Sequence, residues 1–309
     1  MTTRAKYQTG LDKFDRIGTV TNVIFHVIFT LLALVCLVPV LVVLSVSLSS
    51  EDSIRNTGYH LFPMVLSGEA YDYIIQQGTM ITKALGISIF VTVVGTVLGV
   101  LLTASMGYVI SRPNYKLKGF LTMVVFIPMV FNGGLVSSYY INANLLGLKD
   151  TVWALILPLA VSSFNVIICK TFFISTIPDG LIESAEIDGA SQLRTFFSIV
   201  LPISLPLLAT IGLFLCFGYW NDWFQSMLYI NNQDLYSLQA LLNSLMSNVD
   251  ALAKNASTMG ISYATLVATM PKESARMAVA IIIVLPVAAA YPFFQKYFIS
   301  GLTVGAVKG

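Results

Sequence analysis

The chain has 309 residues, 56% of them hydrophobic and only 10% charged, against roughly 45–50% and 25% in soluble proteins. That balance excludes water as its main solvent, and a net charge of +2 leaves no surplus of Lys and Arg to hold a nucleic-acid backbone. Cys36, Cys169 and Cys216 each sit in an apolar run without CxxC or His spacing, so they read as buried small hydrophobes and indicate neither a disulfide framework nor a metal site.

A helix crossing about 30 Å of hydrocarbon needs about 20 residues free of uncompensated charge. Six stretches meet that requirement and predict helices at 22–48, 84–110, 119–141, 151–172, 197–219 and 277–298. The expected fold is therefore all-α, a single polytopic membrane domain over 1–309 with six transmembrane helices. The first span follows Arg4, Lys6, Lys13 and Arg16 but is far longer than the apolar core of a signal peptide, about 7–15 residues, so it is expected to stay as an anchor. His26 within it reads as packed or interfacial, with a proton-relay role as the alternative.

In the second span Gly95, Gly99, Thr103 and Gly107 recur every four residues and line one stripe. Small side chains let membrane helices approach closely, so the stripe marks a packing seam, either within the chain or against a partner subunit. Pro39, Pro128, Pro158 and the pair Pro202 and Pro206 are expected to break four spans. Asn132-Gly133-Gly134 follows Pro128 after three residues, and irregular backbone at membrane depth is tolerated only inside protein or along a water-filled cavity. The third span is thus a pathway-wall candidate through Asn132 and Gly133, or a kink that fits its neighbours. The uncharged stretches 235–249 and 255–271 are short and rich in Asn, Ser and Thr and are left outside the membrane.

Six crossings put both termini on one side. That side carries eleven of the 17 Lys and Arg residues, against six spread over longer loops opposite, so both termini are expected in the cytoplasm. This leaves a cytoplasmic N-terminal segment 1–19, a cytoplasmic loop 173–196, a large outer loop 220–276 and a cytoplasmic tail 299–309. No Asp, Glu, Lys or Arg lies at the centre of a span, where ion-coupled transporters generally carry such groups. Convergent Ser/His, paired Asp and HExxH constellations are missing, as is a GxxxxGK[ST] phosphate loop, so the chain reads as no enzyme and no ATPase.

The 173–196 loop is the specific part. Asp179 follows Pro178 and is expected to cap a helix from about Gly180, with Ile182, Ala185, Glu186 and Gly189 on one side and Gly189 ending or bending it. Small residues Ser184, Ala185, Gly189 and Ala190 among carboxylates shape this helix for insertion into something else.

Glu183-Ser-Ala-Glu-Ile-Asp-Gly-Ala-Ser191, followed by Ile199-Val-Leu-Pro202, resembles the EAA motif of permease subunits of ATP-binding-cassette importers, with Ser184 in place of the usual Ala. The tail from Ser300 to Gly309 is similar to the C-terminus of maltose-type permeases. The first span, FNGGLVSSYY and TVWALILP resemble the second permease of oligosaccharide importers fed by a lipoprotein binding protein.

The resemblance implies a type I ABC importer permease in a bacterial cytoplasmic membrane, moving an oligosaccharide from an extracytoplasmic sugar-binding protein into the cell. It implies a second homologous permease and a cytoplasmic ATPase dimer as partners, with ATP and Mg on the ATPase and no cofactor on this chain. By the same resemblance Glu183, Ser184, Ala185, Glu186, Asp188, Gly189, Ala190 and Ser191 couple to the ATPase, and Gly305, Val307, Lys308 and Gly309 contact it. Trp220, Trp223, Tyr229 and Tyr236 in the outer loop are candidate binding-protein contacts, with an aromatic belt at the interface as the alternative for the two tryptophans. The competing function is an autonomous secondary transporter or channel for a small polar solute.

Overall fold

The computed structural model describes residues 18–76, 78–259 and 272–306, and among them regular structure is helical, with an isolated antiparallel bridge between Ser49 and Leu66. In chain order the helices are α1 (Thr19–Ser47), α2 (Glu51–Thr57), α3 (Glu69–Gln76), α4 (Gly78–Ser111), α5 (Lys118–Val130), α6 (Gly134–Tyr139), α7 (Trp153–Ala160) and α8 (Ser163–Thr176). There follow α9 (Asp179–Ile187), α10 (Gln192–Thr195), α11 (Leu201–Ile203), α12 (Leu205–Trp220), α13 (Phe224–Tyr229), α14 (Leu238–Met259) and α15 (Lys272–Ala306). Contacts divide the described residues into two units, 18–72 with 272–281 and 73–259 with 282–306.

In the first unit α1 includes Val20–Ser47, 28 residues whose most apolar stretch has a mean hydropathy of 3.2 and buries none of its residues among the described ones. At 1.5 Å per residue its length exceeds the roughly 30 Å of a hydrocarbon core. Pro39 lies inside this continuous helix, so the expected break there does not form. Cys36 is exposed on it rather than buried, on a stretch of α1 that none of the described residues buries. Past α1, Ser50 caps α2 by accepting from the Ser53 N–H at 3.3 Å. The neighbouring Glu51 is buried, and its carboxylate accepts from the backbone N–H groups of Glu273 and Ser274 and from the Ser274 hydroxyl, at 2.9–3.1 Å. These are unsatisfied donors at the start of α15, where a negative charge also meets the favourable end of the helix dipole.

The second unit is built around α4. Its buried positions include Val91, Gly95, Gly99, Thr103 and Gly107, one face of a helix. A Cβ at Gly95 would lie 2.5 Å from the Tyr219 ring of α12, one at Gly99 2.7 Å from the Ala160 carbonyl of α7, and one at Gly107 2.5 Å from Cys169 of α8. The stripe is therefore a seam within the chain. Above it the Tyr219 hydroxyl donates to the Ile156 carbonyl at 2.7 Å.

Among the described residues, two helices, Val20–Ser47 and Gly78–Ser111, are long and apolar enough to cross a membrane. Two bent pairs pass together, α7 with α8 at 48° and Gln192–Ile203 with α12 at 84°. The helices expected at 119–141, 151–172 and 197–219 are interrupted, in three of the four proline-bearing spans where breaks are expected, although Pro158 itself stands inside α7. Val161 and Ser162 are extended between α7 and α8, and Ser204 closes the Gln192–Ile203 segment, where Pro202 and Pro206 withhold the N–H groups a continuous helix needs. In the third stretch Pro128 is accommodated inside α5 and the break falls later, at Phe131–Gly133. Pro286 and Pro292 stand inside α15, which continues through both.

Gly99→Ala and Gly107→Ala are expected to lower the melting temperature of the purified protein, since overpacking costs about 1–3 kcal/mol and exceeds the helix-propensity gain of about 0.5–1 kcal/mol. Gly86→Ala serves as the control, because nothing lies within 4 Å of its Cβ position. An unchanged or raised melting temperature for Gly99→Ala contradicts the seam.

Candidate functional site

Between α8 and α12 the chain makes a compact turn-helix-turn. Pro178 takes the N-cap position of α9 without a side-chain cap, so Asp179 does not cap as expected. Its carboxylate instead pairs with the Arg112 Nη1 at 3.2 Å, tying the start of α9 to the end of α4. Ile182 and Ala185 face inward, 6% and 7% exposed, and Ile182 belongs to the core cluster with Tyr108, Phe173 and Phe196. Ala185, expected among the exposed small residues, is thus part of the anchor. Glu186 accepts from the Gln192 amide, which ties the end of α9 to α10.

The C-terminus of α9 follows from Gly189. Its φ is +79°, the left-handed region that glycine enters without a Cβ penalty. There the Gly189 N–H donates to the Glu186 carbonyl at 3.0 Å and the Ala190 N–H to the Ala185 carbonyl at 2.9 Å. This paired pattern is the Schellman motif, which satisfies the last carbonyls of the helix and turns the chain sharply. Ser191 then caps α10 by accepting from the Arg194 N–H at 3.3 Å. Ser184 donates to the Leu181 carbonyl at 3.0 Å and is exposed, as are Glu183 and Asp188.

The outward surface carries more than the motif residues. Ile187 is 86% exposed and Leu193 71% exposed beside the carboxylates. The sequence reading omitted both, although Ile187 lies five residues after Ile182 and hence on the opposite side of the helix. A helix anchored on one face, abruptly ended, and showing an isoleucine within an acidic rim can be held by a groove lined with apolar and basic groups.

Farther along, Phe131, Asn132, Gly133 and Gly134 are all exposed. The Asn132 Oδ1 accepts from the Gly134 N–H at 2.8 Å, and Gly134 has φ +81°. Of the outer-loop aromatics, Trp220 is buried and donates its indole N–H to the Ile283 carbonyl at 3.1 Å. Tyr229 is buried too, stacked on Tyr139 at 5.8 Å between centroids and accepting from the Asn142 amide at 3.1 Å. Tyr236 is half-buried against the core, and Trp223 presents 42% of its surface. Asp150, at φ 57°, accepts from the Asn231 and Asn232 N–H groups and the Asn231 amide, pinning this region to the turn before α7. Gly305 lies in the last turn of α15, whereas Val307, Lys308 and Gly309 lie outside the described residues.

Residues 99–304 match the family described as binding-protein-dependent transport system inner membrane component. The chain belongs to that family, whose members are transport components and not enzymes. It is 37% identical to Protein LplC of Bacillus subtilis (strain 168), over 96% of this chain and 97% of that protein. It is 38% identical to the polygalacturonan/rhamnogalacturonan transport system permease protein YtcP of the same strain, over 90% and 94%. A solved bacterial ABC transporter involved in the import of the acidic polysaccharide alginate has a chain that shares the fold. The TM-score is 0.75 at 24% identity, covering 95% of this chain and 100% of that one.

Asp222, just past α12, gives a pH dependence. Burial pushes its carboxyl up to about 6, opposed by the backbone N–H groups of Gln225 and Phe224. The folded state therefore binds this proton more tightly than the unfolded chain, whose ordinary value is 3.8. The contribution to stability is full below about pH 4 and is lost as pH rises through 6. Asp222→Asn is expected to remove this part of the pH–melting curve and to melt no lower than the parent at pH 7.5. A parent curve that rises between pH 4 and 6 while the variant stays flat contradicts the assignment.

Proposed function

We propose that this chain is one permease of an ATP-driven importer that moves an oligosaccharide from an extracytoplasmic binding protein into the cytoplasm of a bacterium. It sits in the cytoplasmic membrane with six crossings, near 22–48, 84–110, 119–141, 151–172, 197–219 and 277–298, and with both termini inside. The Lys and Arg distribution supports that orientation, and the substrates named for YtcP support an oligosaccharide as cargo. A second homologous permease completes the pathway. A cytoplasmic ATPase dimer binds ATP and Mg and supplies the work.

The observation that carries this reading is α9, with Ile182 and Ala185 locked into the bundle while Glu183, Ser184, Ile187 and Asp188 face outward. In this role α9 seats in a cleft of the ATPase, Gly189 and Ala190 let the chain leave without bulk, and Ser191 starts the return helix. The tail residues Gly305, Val307, Lys308 and Gly309 contact the same subunit. When ATP draws the two ATPase subunits together, each α9 is pushed, and its inward anchor carries the motion to α4 and α12. The permeases then change between inward-open and outward-open states, because closure of the motor favours one of the two. On the outer face Trp223 and Tyr236 contact the binding protein, with Trp220 and Tyr229 shaping that surface from beneath. Asn132 and Gly133 line the passage, where water accepts their irregular backbone.

Gly189→Asp in the complete transporter is expected to leave membrane insertion intact and to cut substrate uptake and binding-protein-stimulated ATP hydrolysis at least tenfold. The new side chain adds charge at the rim and a left-handed backbone penalty of about 1–2 kcal/mol. Wild-type uptake by this variant contradicts ATPase coupling through α9.

A further inference from the structure

The loop between α2 and α3 carries an apolar run that none of the described residues covers. From Asn56 to Gly68 the sequence holds no Asp, Glu, Lys or Arg. Within it Tyr59, Leu61, Phe62, Met64, Val65 and Leu66 are all exposed, Phe62 at 78% and Leu66 at 73%. Single exposed apolar residues are ordinary, but a contiguous run of them marks an interaction surface. The polar atoms of the same stretch are engaged by the chain itself. The Tyr59 hydroxyl donates to the Glu273 carboxylate at 2.8 Å, the His60 Nε2 lies 3.0 Å from the Thr57 carbonyl, and the Ser67 hydroxyl oxygen accepts from the Glu69 N–H at 3.2 Å. Water favours the opposite arrangement, with apolar groups covered and polar ones hydrated.

What covers the run follows from where it is tied. The Ser50 N–H donates to the Val65 carbonyl at 3.0 Å, the Ser67 N–H donates to the Leu48 carbonyl at 2.9 Å, and Ser49 and Leu66 form the isolated bridge. The end of the run is therefore held against the residues that directly follow α1. With 29 residues, α1 is about 43 Å long at 1.5 Å per residue, which matches the roughly 40–45 Å of a bilayer with its headgroup layers. Ser47 is then level with the headgroups, and the run is fixed at the same depth. The apolar stretch of α1 that leads there is itself unburied, so the run continues a lipid-facing surface.

We infer that residues 59–66 are an interfacial anchor, whose Leu61, Phe62, Met64 and Leu66 side chains enter the boundary between headgroups and acyl chains in the leaflet where α1 ends. The inference rests on α1 as a membrane span and assigns the lipid surface to a loop outside the spans. At that boundary the apolar side chains reach acyl carbon, while Tyr59 and His60 keep their polar tips at the wet edge, the depth that amphipathic rings favour. The anchor sets the height of this end of α1 in the bilayer. Through Glu51, whose carboxylate holds the first N–H groups of α15, it sets the height of that helix start as well.

The test measures depth. With Cys36, Cys169 and Cys216 replaced, Phe62→Cys and Leu66→Cys variants of the complete transporter are labelled with a nitroxide in liposomes of phosphatidylethanolamine and phosphatidylglycerol. Power saturation then gives the ratio of collisions with oxygen, which concentrates in lipid, to collisions with a water-soluble nickel chelate. Val35→Cys, 68% exposed within α1, supplies the hydrocarbon reference, and Lys149→Cys, at an exposed charged position, supplies the aqueous one. The ratio at both loop positions is expected to exceed that at Lys149 about threefold or more and to fall below that at Val35, as insertion of roughly 5–10 Å requires. Two positions are read so that one variant suffices if the other does not assemble. A ratio equal to that at Lys149 overturns the proposal. So does a label closed to both reagents, the sign of a covering protein such as the second permease or the binding protein. A hydrocarbon ratio at Val35 beside an aqueous one in the loop rejects the anchor and leaves the membrane reading standing, and neither uptake nor ATP hydrolysis enters the readout.

Discussion

Lipid removes the hydrophobic drive that holds soluble helices together, so a bundle in a bilayer depends on how closely its backbones approach. In this chain that approach is made along one face of α4. Gly99 meets a backbone carbonyl of α7, Gly107 meets α8, and Gly95 meets the Tyr219 ring of α12. Three helices are thereby placed around α4 with no room for a single added carbon. The position of α9 follows from theirs, since Ile182 belongs to the same buried cluster as Tyr108 of α4, Phe173 of α8 and Phe196, and Arg112 holds Asp179.

That dependence gives the short helix a mechanical meaning. A surface helix held only by its linkers would absorb a push by moving alone. With an apolar anchor beneath, an ion pair at one end and a Schellman turn at the other, α9 moves with the bundle. The bends serve the same economy of parts. At 48° and 84° they redirect two helices without lengthening loops, and the proline-rich segment after α9 turns the chain from the loop into α12. Elsewhere in the unit, Asp150 pins the turns around Asn231, so that region also keeps a fixed form.

Much of this was legible in the sequence. The four-residue repeat of small side chains named the seam, and Gly189 named the end of α9, because both signals rest on local sterics that admit few solutions. What the seam packs against was not legible, since a glycine records closeness and not its neighbour. Pro39 and Pro128 were misjudged for a related reason. A proline removes one hydrogen bond, and whether the helix stops there depends on surroundings that composition does not show. Asp179 followed capping rules on paper but found Arg112, a residue 67 positions away. Trp220 and Tyr229, expected to project outward, are held inside by Ile283 and Tyr139, pairings that only the tertiary fold creates.

The account stands most directly on whether the outward face of α9 touches the motor. With Cys36, Cys169 and Cys216 replaced, an Ile187→Cys variant of the assembled transporter can be treated with a bifunctional maleimide in inside-out vesicles. Contact predicts a covalent product of one permease and one ATPase subunit, together with protection of that thiol from a small monofunctional maleimide. A thiol that is labelled freely and yields no joined product contradicts it.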